Sequence, residues 1–166
     1  FADFYGSVFS YDIGTSEVTG LGRPTYSLYD AAFGGPNIYL SGYSAVTLRY
    51  NTNSPWTLSA STVNKSNPSG NPYKIGLAMG KYHYYSCFGS DGLLYVGSHH
   101  ERDSTGGELG WYDPSSGASG SLRTPFLAFD VRDLKPALGR TKMVYASGND
   151  RLFVFDVATK QIERTI

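Results

Sequence analysis

Cysteine is nearly missing from this sequence. Cys87 is the only one in 166 residues, which excludes an internal disulfide framework and any cluster of cysteine ligands for zinc. It lies among Tyr84, Tyr85 and Phe88, so a buried, inert thiol is expected. Charge is scarce too: Asp, Glu, Lys and Arg make up 17% of the chain, 14 acidic against 14 basic, for a net charge of zero. A dedicated nucleic-acid binder carries a basic excess, so no nucleic-acid partner is expected. No apolar run approaches the roughly 18 residues a membrane helix needs, and no membrane span is expected. The chain also lacks a Gly-rich phosphate loop and a Gly-x-Ser-x-Gly elbow that would arm a nucleophilic serine such as Ser104. It begins at Phe1, with no Met and no charged stretch ahead of an apolar one, the start expected of a processed product or an excised fragment.

What is abundant points one way. The 14 Tyr, 9 Phe and 20 Gly residues describe strands and turns rather than helices. One pattern recurs four times: an apolar strand ending in an aromatic residue followed by Asp or Asn, then a turn and a second strand. The copies are Val8-Phe9-Ser10-Tyr11-Asp12, Thr47-Leu48-Arg49-Tyr50-Asn51, Leu109-Gly110-Trp111-Tyr112-Asp113 and Leu152-Phe153-Val154-Phe155-Asp156. The aromatic falls at positions 11, 50, 112 and 155, with spacings of 39, 62 and 43. Two of these match a period of about 40–50 residues, and the third is a unit carrying an insertion. Alternating residues point to opposite faces of a strand, so Phe153 and Phe155 are expected to bury together. The Asp or Asn opens the turn by accepting from backbone amides two residues on.

A further strand precedes each of the last three copies: Ile38-Tyr39-Leu40-Ser41-Gly42, Leu94-Tyr95-Val96-Gly97-Ser98 and Val144-Tyr145-Ala146-Ser147-Gly148. These segments, and Asn149 to Asp156 after the last, resemble the repeats of PQQ-like and YVTN-type β-propellers. The resemblance implies an all-β fold of four-stranded antiparallel blades. No Trp-Asp dipeptide of the WD40 kind occurs. The tryptophan that closes the repeats of quinone-dependent dehydrogenases is absent as well, the fourth strands reading Leu58-Ser59-Ala60 and Ile162-Glu163-Arg164. No cofactor is therefore expected.

On this scheme residues 1–22 are a partial blade, 25–63 a blade, 64–80 an insertion, 81–124 a blade with an insertion at 99–108, and 125–166 a blade. The fourth strand of the second blade is expected at 56–62 and the first strand of the last blade at 126–130. Lys135-Pro136-Ala137-Leu138 is expected to form one helical turn. About three and a half blades do not close a ring, which takes four to eight. The remaining blades are expected from the same protein or from another chain.

In a four-stranded meander the connections between second and third strands, and between one blade and the next, emerge at the same end. Both insertions therefore rise from one face of the arc, where function tends to concentrate. Residues 99–108 carry two of the three histidines. The candidate catalytic groups are His99, His100 and Glu101. The candidate ligand contacts are His83, Tyr82, Arg102 and Asp103, with Arg102 clamping an anionic group. A divalent metal would draw on His83, His99 and Glu101, although neighbouring histidines on a strand usually point apart. The plain alternative is a solvated polar loop with an internal Glu101–Arg102–Asp103 cluster. Tyr39, Tyr43, Tyr50, Tyr82, Tyr84, Tyr85, Tyr95 and Tyr112 offer stacking platforms for sugars, or form strand core with hydroxyls at the rim.

The function expected is non-catalytic binding of a ligand or partner, carbohydrate or protein, by part of a larger extracellular or periplasmic protein. One competing reading is a propeller-type hydrolase, lactonase or lyase with a His/Glu site at the channel mouth. The other is a structural assembly module whose half-blade edge pairs with another chain.

Overall fold

The computed structural model describes residues 5–57, 70–77, 79–80, 82–99, 107–122, 131–146 and 151–166. They hold fourteen strands and, among the described residues, no helix. A first hairpin pairs β1 (Val8–Tyr11) with β2 (Val18–Gly22). The second unit runs β3 (Ser27–Gly34), β4 (Asn37–Tyr43), β5 (Val46–Asn51) and β6 (Tyr73–Lys74). The third runs β7 (Tyr82–Phe88), β8 (Leu94–His99), β9 (Gly107–Tyr112) and β10 (Ser119–Leu122). The fourth runs β11 (Asp133–Ala137), β12 (Lys142–Ala146), β13 (Leu152–Asp156) and β14 (Gln161–Thr165). All pairings are antiparallel between neighbours in sequence, save one bridge between Tyr43 and Tyr82 that joins the second and third units. These are three four-stranded blades and a two-stranded hairpin, arranged as an arc.

The turn chemistry of the repeat holds in all four copies. Asp12 Oδ1 accepts from the amides of Gly14 (2.8 Å) and Thr15 (2.9 Å), and Asn51 Oδ1 from Asn53 (2.9 Å). Asp113 Oδ1 accepts from Ser115 (2.8 Å) and Asp156 Oδ1 from Thr159 (2.7 Å). Gly117 finishes the third of these turns at φ +77°, a conformation a side chain would strain. The acid closes the third strand of every full blade, so β1 and β2, which flank Asp12, stand in the places of a third and fourth strand.

Each interface between blades holds one apolar cluster. Val8, Leu40, Val46 and Leu48 fill the space between the first hairpin and the second blade. Ala32, Tyr39, Ile75, Leu94, Val96 and Tyr112 lie between the second and third. Cys87, Tyr95, Leu109, Val131, Leu134, Met143, Phe153 and Phe155 lie between the third and fourth. The period-two pleat explains the sorting: within β4, Leu40 turns one way and Tyr39 the other. Gly97 is needed for the close approach of the last two blades, since a Cβ there would stand 2.6 Å from Val131 Cγ1.

One sequence expectation is corrected, and two others fall wholly or mostly outside the described residues. Residues 133–137, which include Lys135 to Ala137, form strand β11 rather than a helical turn. Pro136 is tolerated because β11 is an edge strand with a single partner. The strand beside β12 is therefore this one, whereas 126–130 lie outside the described residues. The described partner of β5 is Tyr73–Lys74, from within the stretch read as an insertion. Trp56 and Thr57 are not in a strand, and 58–62 lie outside the described residues.

Two outcomes follow from this packing. Phe155 is fully buried with its ring 6.0 Å from that of Tyr95, so Phe155→Ala is expected to lower unfolding free energy by about 3–5 kcal/mol in a denaturant titration. Cys87 is buried with Sγ 3.9 Å from Met143 Sδ, and burial pushes its thiol pKa up to about 12. A thiol reagent at neutral pH is expected to label it only after denaturant unfolds the chain; prompt labelling of the folded protein would contradict this packing.

Candidate ligand-binding site

The first strand of each full blade lies innermost, and β7 packs against both β3 and β11. An inner strand has a ladder partner on one side, so it accommodates an extra residue at lower cost than a central strand. Both β3 and β7 do so at matching places. Counting back from Phe33-Gly34 and Phe88-Gly89, Tyr29 and Tyr84 hold the same repeat position. The register shifts between Leu28 and Asp30 in one blade and between His83 and Ser86 in the next. The two displaced tyrosines meet with ring centroids 5.1 Å apart.

Other aromatic rings extend this contact. Tyr82 stacks on Tyr84 at 5.7 Å with 11° between planes. Tyr43 lies 5.2 Å from Tyr82, and Tyr26 6.4 Å from Tyr43. The His99 ring stands 5.6 Å from Tyr82 and 6.5 Å from Tyr84. Tyr29, Tyr43, Tyr82, Tyr84 and His99 are all half-buried. Burial, with the neighbouring phenols of Tyr84, Tyr82 and Tyr43, raises the Tyr29 pKa, so its hydroxyl stays protonated and able to donate. Beneath the array, Asp30 Oδ2 accepts from the Ser86 amide at 2.7 Å and hydroxyl at 3.3 Å. This bond ties the two bulged strands together across the blade boundary.

His83 takes no part in the array. Tyr82 pairs across the ladder with His99, and His83 with Ser98, so the pleat sends His83 and His99 to opposite sides of the β7–β8 pair. His83 is 1% exposed, and its Nδ1 shares a 2.9 Å hydrogen bond with Thr47 Oγ1, which lies 3.5 Å from Ser41 Oγ. Burial first, then the nearby Lys74 charge, lower its pKa to about 4. The register thus directs His83 and His99 to opposite sides of the β7–β8 pair. Among the described residues no group of three or more His, Cys, Asp and Glu side chains is placed to hold a metal. His100, Glu101, Arg102 and Asp103 lie outside the described residues. The segment read as an insertion is bounded by strand: His99 ends β8, while Gly107 and Glu108 begin β9. Glu108 turns inward, accepting from the Gly80 amide at 2.8 Å.

Of the other tyrosines, Tyr39, Tyr95 and Tyr112 are core. The Tyr95 hydroxyl donates to Asp91 Oδ2 at 2.7 Å. That of Tyr112 lies 3.5 Å from the Tyr73 hydroxyl, which accepts from Arg49 at 2.8 Å. Tyr29 and Asp30 were missed from sequence; aligning Phe33-Gly34 with Phe88-Gly89 was the signal that could have found them.

No family model matches the chain, and no curated protein matches it by sequence. Solved structures do resemble it. Hydrazine synthase of Kuenenia stuttgartiensis superposes on 96% of this chain with a TM-score of 0.67 at 14% identity. The β-propeller domain of Cps50 (Swd1) from Myceliophteria thermophila covers 99% of it with a TM-score of 0.69 at 10% identity. Strand order, turn chemistry and these likenesses define the fold as part of a β-propeller. The chain spans 42% of the first of those proteins and 50% of the second.

The linkage of His83 to stability has a definite sign. An unfolded histidine takes up a proton near pH 6.5, whereas the native one resists until about pH 4. Its contribution is complete above pH 6.5 and lost progressively as pH falls toward 4. Denaturant titrations are expected to show stability falling across that window, and His83→Gln to flatten that part of the profile. An unchanged profile in His83→Gln would place the titration elsewhere.

Proposed function

We propose that this chain is a non-catalytic, ligand-binding arc of a larger β-propeller, and that its ligand is a carbohydrate held on the tyrosine array. The observation that carries the reading is the pair of inner-strand bulges. Two consecutive blades break their ladders at the same repeat position, and each break aims a tyrosine at the other, Tyr29 onto Tyr84. Bulges concentrate where a side chain is re-aimed for use. Half-buried phenols combine a flat apolar face for a sugar ring with a hydroxyl that hydrogen-bonds. The low charge of the chain suits a neutral ligand better than a polyanion. His99 stands on the rim of the array, at the end of the arc from which residues 100–106 leave. Arg102 and Asp103 belong to that connection in sequence and stay candidate polar contacts.

The remainder of the ring comes, on this reading, from further blades of the same protein or from another chain. The likeness of its repeats to those of PQQ-like and YVTN-type propellers supports a place in that group, and the missing closing tryptophan argues against a quinone. An extracellular or periplasmic setting accords with a surface rich in Ser, Thr, Asn and Tyr and poor in charge.

The test is a titration of neutral tetrasaccharides built on glucose, galactose or N-acetylglucosamine, followed by tyrosine fluorescence and calorimetry. At least one is expected to bind, with Tyr82→Ala and Tyr84→Ala each weakening it about tenfold or more. Tyr11→Ala, on the first hairpin, is expected to leave binding unchanged. Binding that ignores both array substitutions would move the site elsewhere, and failure of every sugar would remove carbohydrate as the ligand.

A further inference from the structure

A second feature lies between the second blade and the first hairpin, bordering the tyrosine array at Tyr29. A cavity of about 540 Å³ opens between the first hairpin and the second blade, lined among others by Val8, Ala31, Phe33, Ile38, Tyr50 and Trp56. Its position in the repeat tells what belongs there. The second strand of each full blade carries a tyrosine between aliphatic residues: Tyr39 between Ile38 and Leu40, Tyr95 between Leu94 and Val96. Both are fully buried, and each plugs into the blade that follows. Tyr39 sits edge-on against Phe88 at 5.5 Å and 6.1 Å from Tyr112. Tyr95 sits against Phe155 at 6.0 Å. In the second blade Phe33 ends the first strand as Phe88 does, and Tyr50 holds the place of Tyr112 and Phe155 before the turn-opening residue. Both line the cavity. The seat is therefore built, and its aromatic floor is uncovered: Phe33 is 69% exposed.

The hairpin next to it has the matching shortfall. β1 and β2 stand where a third and fourth strand stand in every other blade, and among the described residues their sheet has two strands. Among the described residues, the first and second strands, the second being the one that bears the plugging tyrosine, have no counterpart in that sheet. The cross-strand pair Tyr11 and Val18 is more than half exposed, as expected of apolar surface that lacks its cover.

We propose that this cavity is a docking seat for a β-hairpin supplied by polypeptide outside these 166 residues. Its second strand carries an aliphatic–tyrosine–aliphatic triplet and enters beside β1, so that the tyrosine lands on Phe33 and Tyr50. A second copy of this chain does not fit the requirement. Its described strands are already committed to complete blades or to another two-stranded hairpin. The outward face of its last blade carries the Lys142–Asp156 and Lys142–Glu163 ion pairs, beside Leu152 and Val154. The cavity reaches Tyr29 and Asp30 at the edge of the array but not Tyr82 or Tyr84, whose replacement tests sugar binding, so the two proposals fail separately.

The test uses the 166-residue chain and a synthetic peptide of residues 27–43, the chain's own first and second strands with Tyr39 in place. Binding is followed by Trp56 emission and by amide shifts of Tyr11, Phe33 and Ile38. The peptide is expected to bind with a blue shift of Trp56. Tyr39→Ala in the peptide, or Phe33→Ala in the protein, is expected to weaken it about tenfold or more. Because Phe33 is exposed, its replacement leaves the fold intact, which thermal melting checks. Three results overturn the proposal. They are no binding at about 1 mM peptide, equal binding by the altered and unaltered partners, or a dimer in light scattering that covers Phe33 without peptide.

Discussion

A four-stranded sheet with apolar side chains on both faces must be covered on both, and the rest of this structure follows from that constraint. Ile38 and Leu40 point one way from the second blade and Tyr39 the other. Leu94 and Val96 point back from the third blade, and Tyr95 points on. Burying such side chains supplies roughly 1.5–3 kcal/mol each, and no single blade can collect it alone. Stability is therefore shared between neighbours, as in other stacked repeats. Polar links across the boundaries then fix orientation: Asp30 to Ser86 between the second and third blades, and Lys160 to Asp91 at 2.5 Å between the third and fourth.

That stacking brings the inner strands together and leaves each with one open edge. An open edge is where a ladder can break without stranding a partner, and β3 and β7 break at equivalent positions. The tyrosine array is thus a product of two adjacent blades rather than of one loop. His83 shows the other side of the same geometry. One residue along from Tyr82, the pleat turns it into the blade interface, where burial holds it neutral and Thr47 takes its Nδ1. One step in register thus turns a histidine that reads as reactive in sequence into the blade interface.

The blade count was legible because its marker is local and chemical. An aromatic followed by Asp or Asn ends a strand, and the side-chain oxygen caps the next turn in all four copies. What escaped the sequence was decided at longer range. Tyr73 and Lys74 are two residues with no alternating pattern, and they are a strand only because β5 has an edge to pair. Lys135-Pro136-Ala137-Leu138 read as a helical turn, yet Pro136 fits an edge strand, which does not need its amide. Tyr84 and Tyr85 interrupt the alternation of β7, so the bulge reads as a loose run of tyrosines, and Tyr29 draws no notice until its partner blade is superposed. The clustering of His99 with Tyr82 follows from their cross-strand pairing, which spacing alone does not reveal.

The plugging tyrosines also give the arc a direction. Tyr39 is donated from the second blade to the third and Tyr95 from the third to the fourth, always from a second strand to the blade that comes later in the chain. The receiving residues, Phe88 with Tyr112 and then Phe155, lie on the first and third strands of the recipient. Donor and receiver are different surfaces of one blade, so the contact is heterologous and propagates head to tail until the rotation closes. A two-fold pairing of two arcs would set like surfaces against each other, donor against donor, and leave both seats open. On the proposals above, the rest of the ring offers a donor strand before the second blade and a receiving face after the fourth, where Tyr145 holds the donor position in sequence. The two ends of the arc are complementary in kind and not interchangeable, and it is this polarity that makes a unique closure possible.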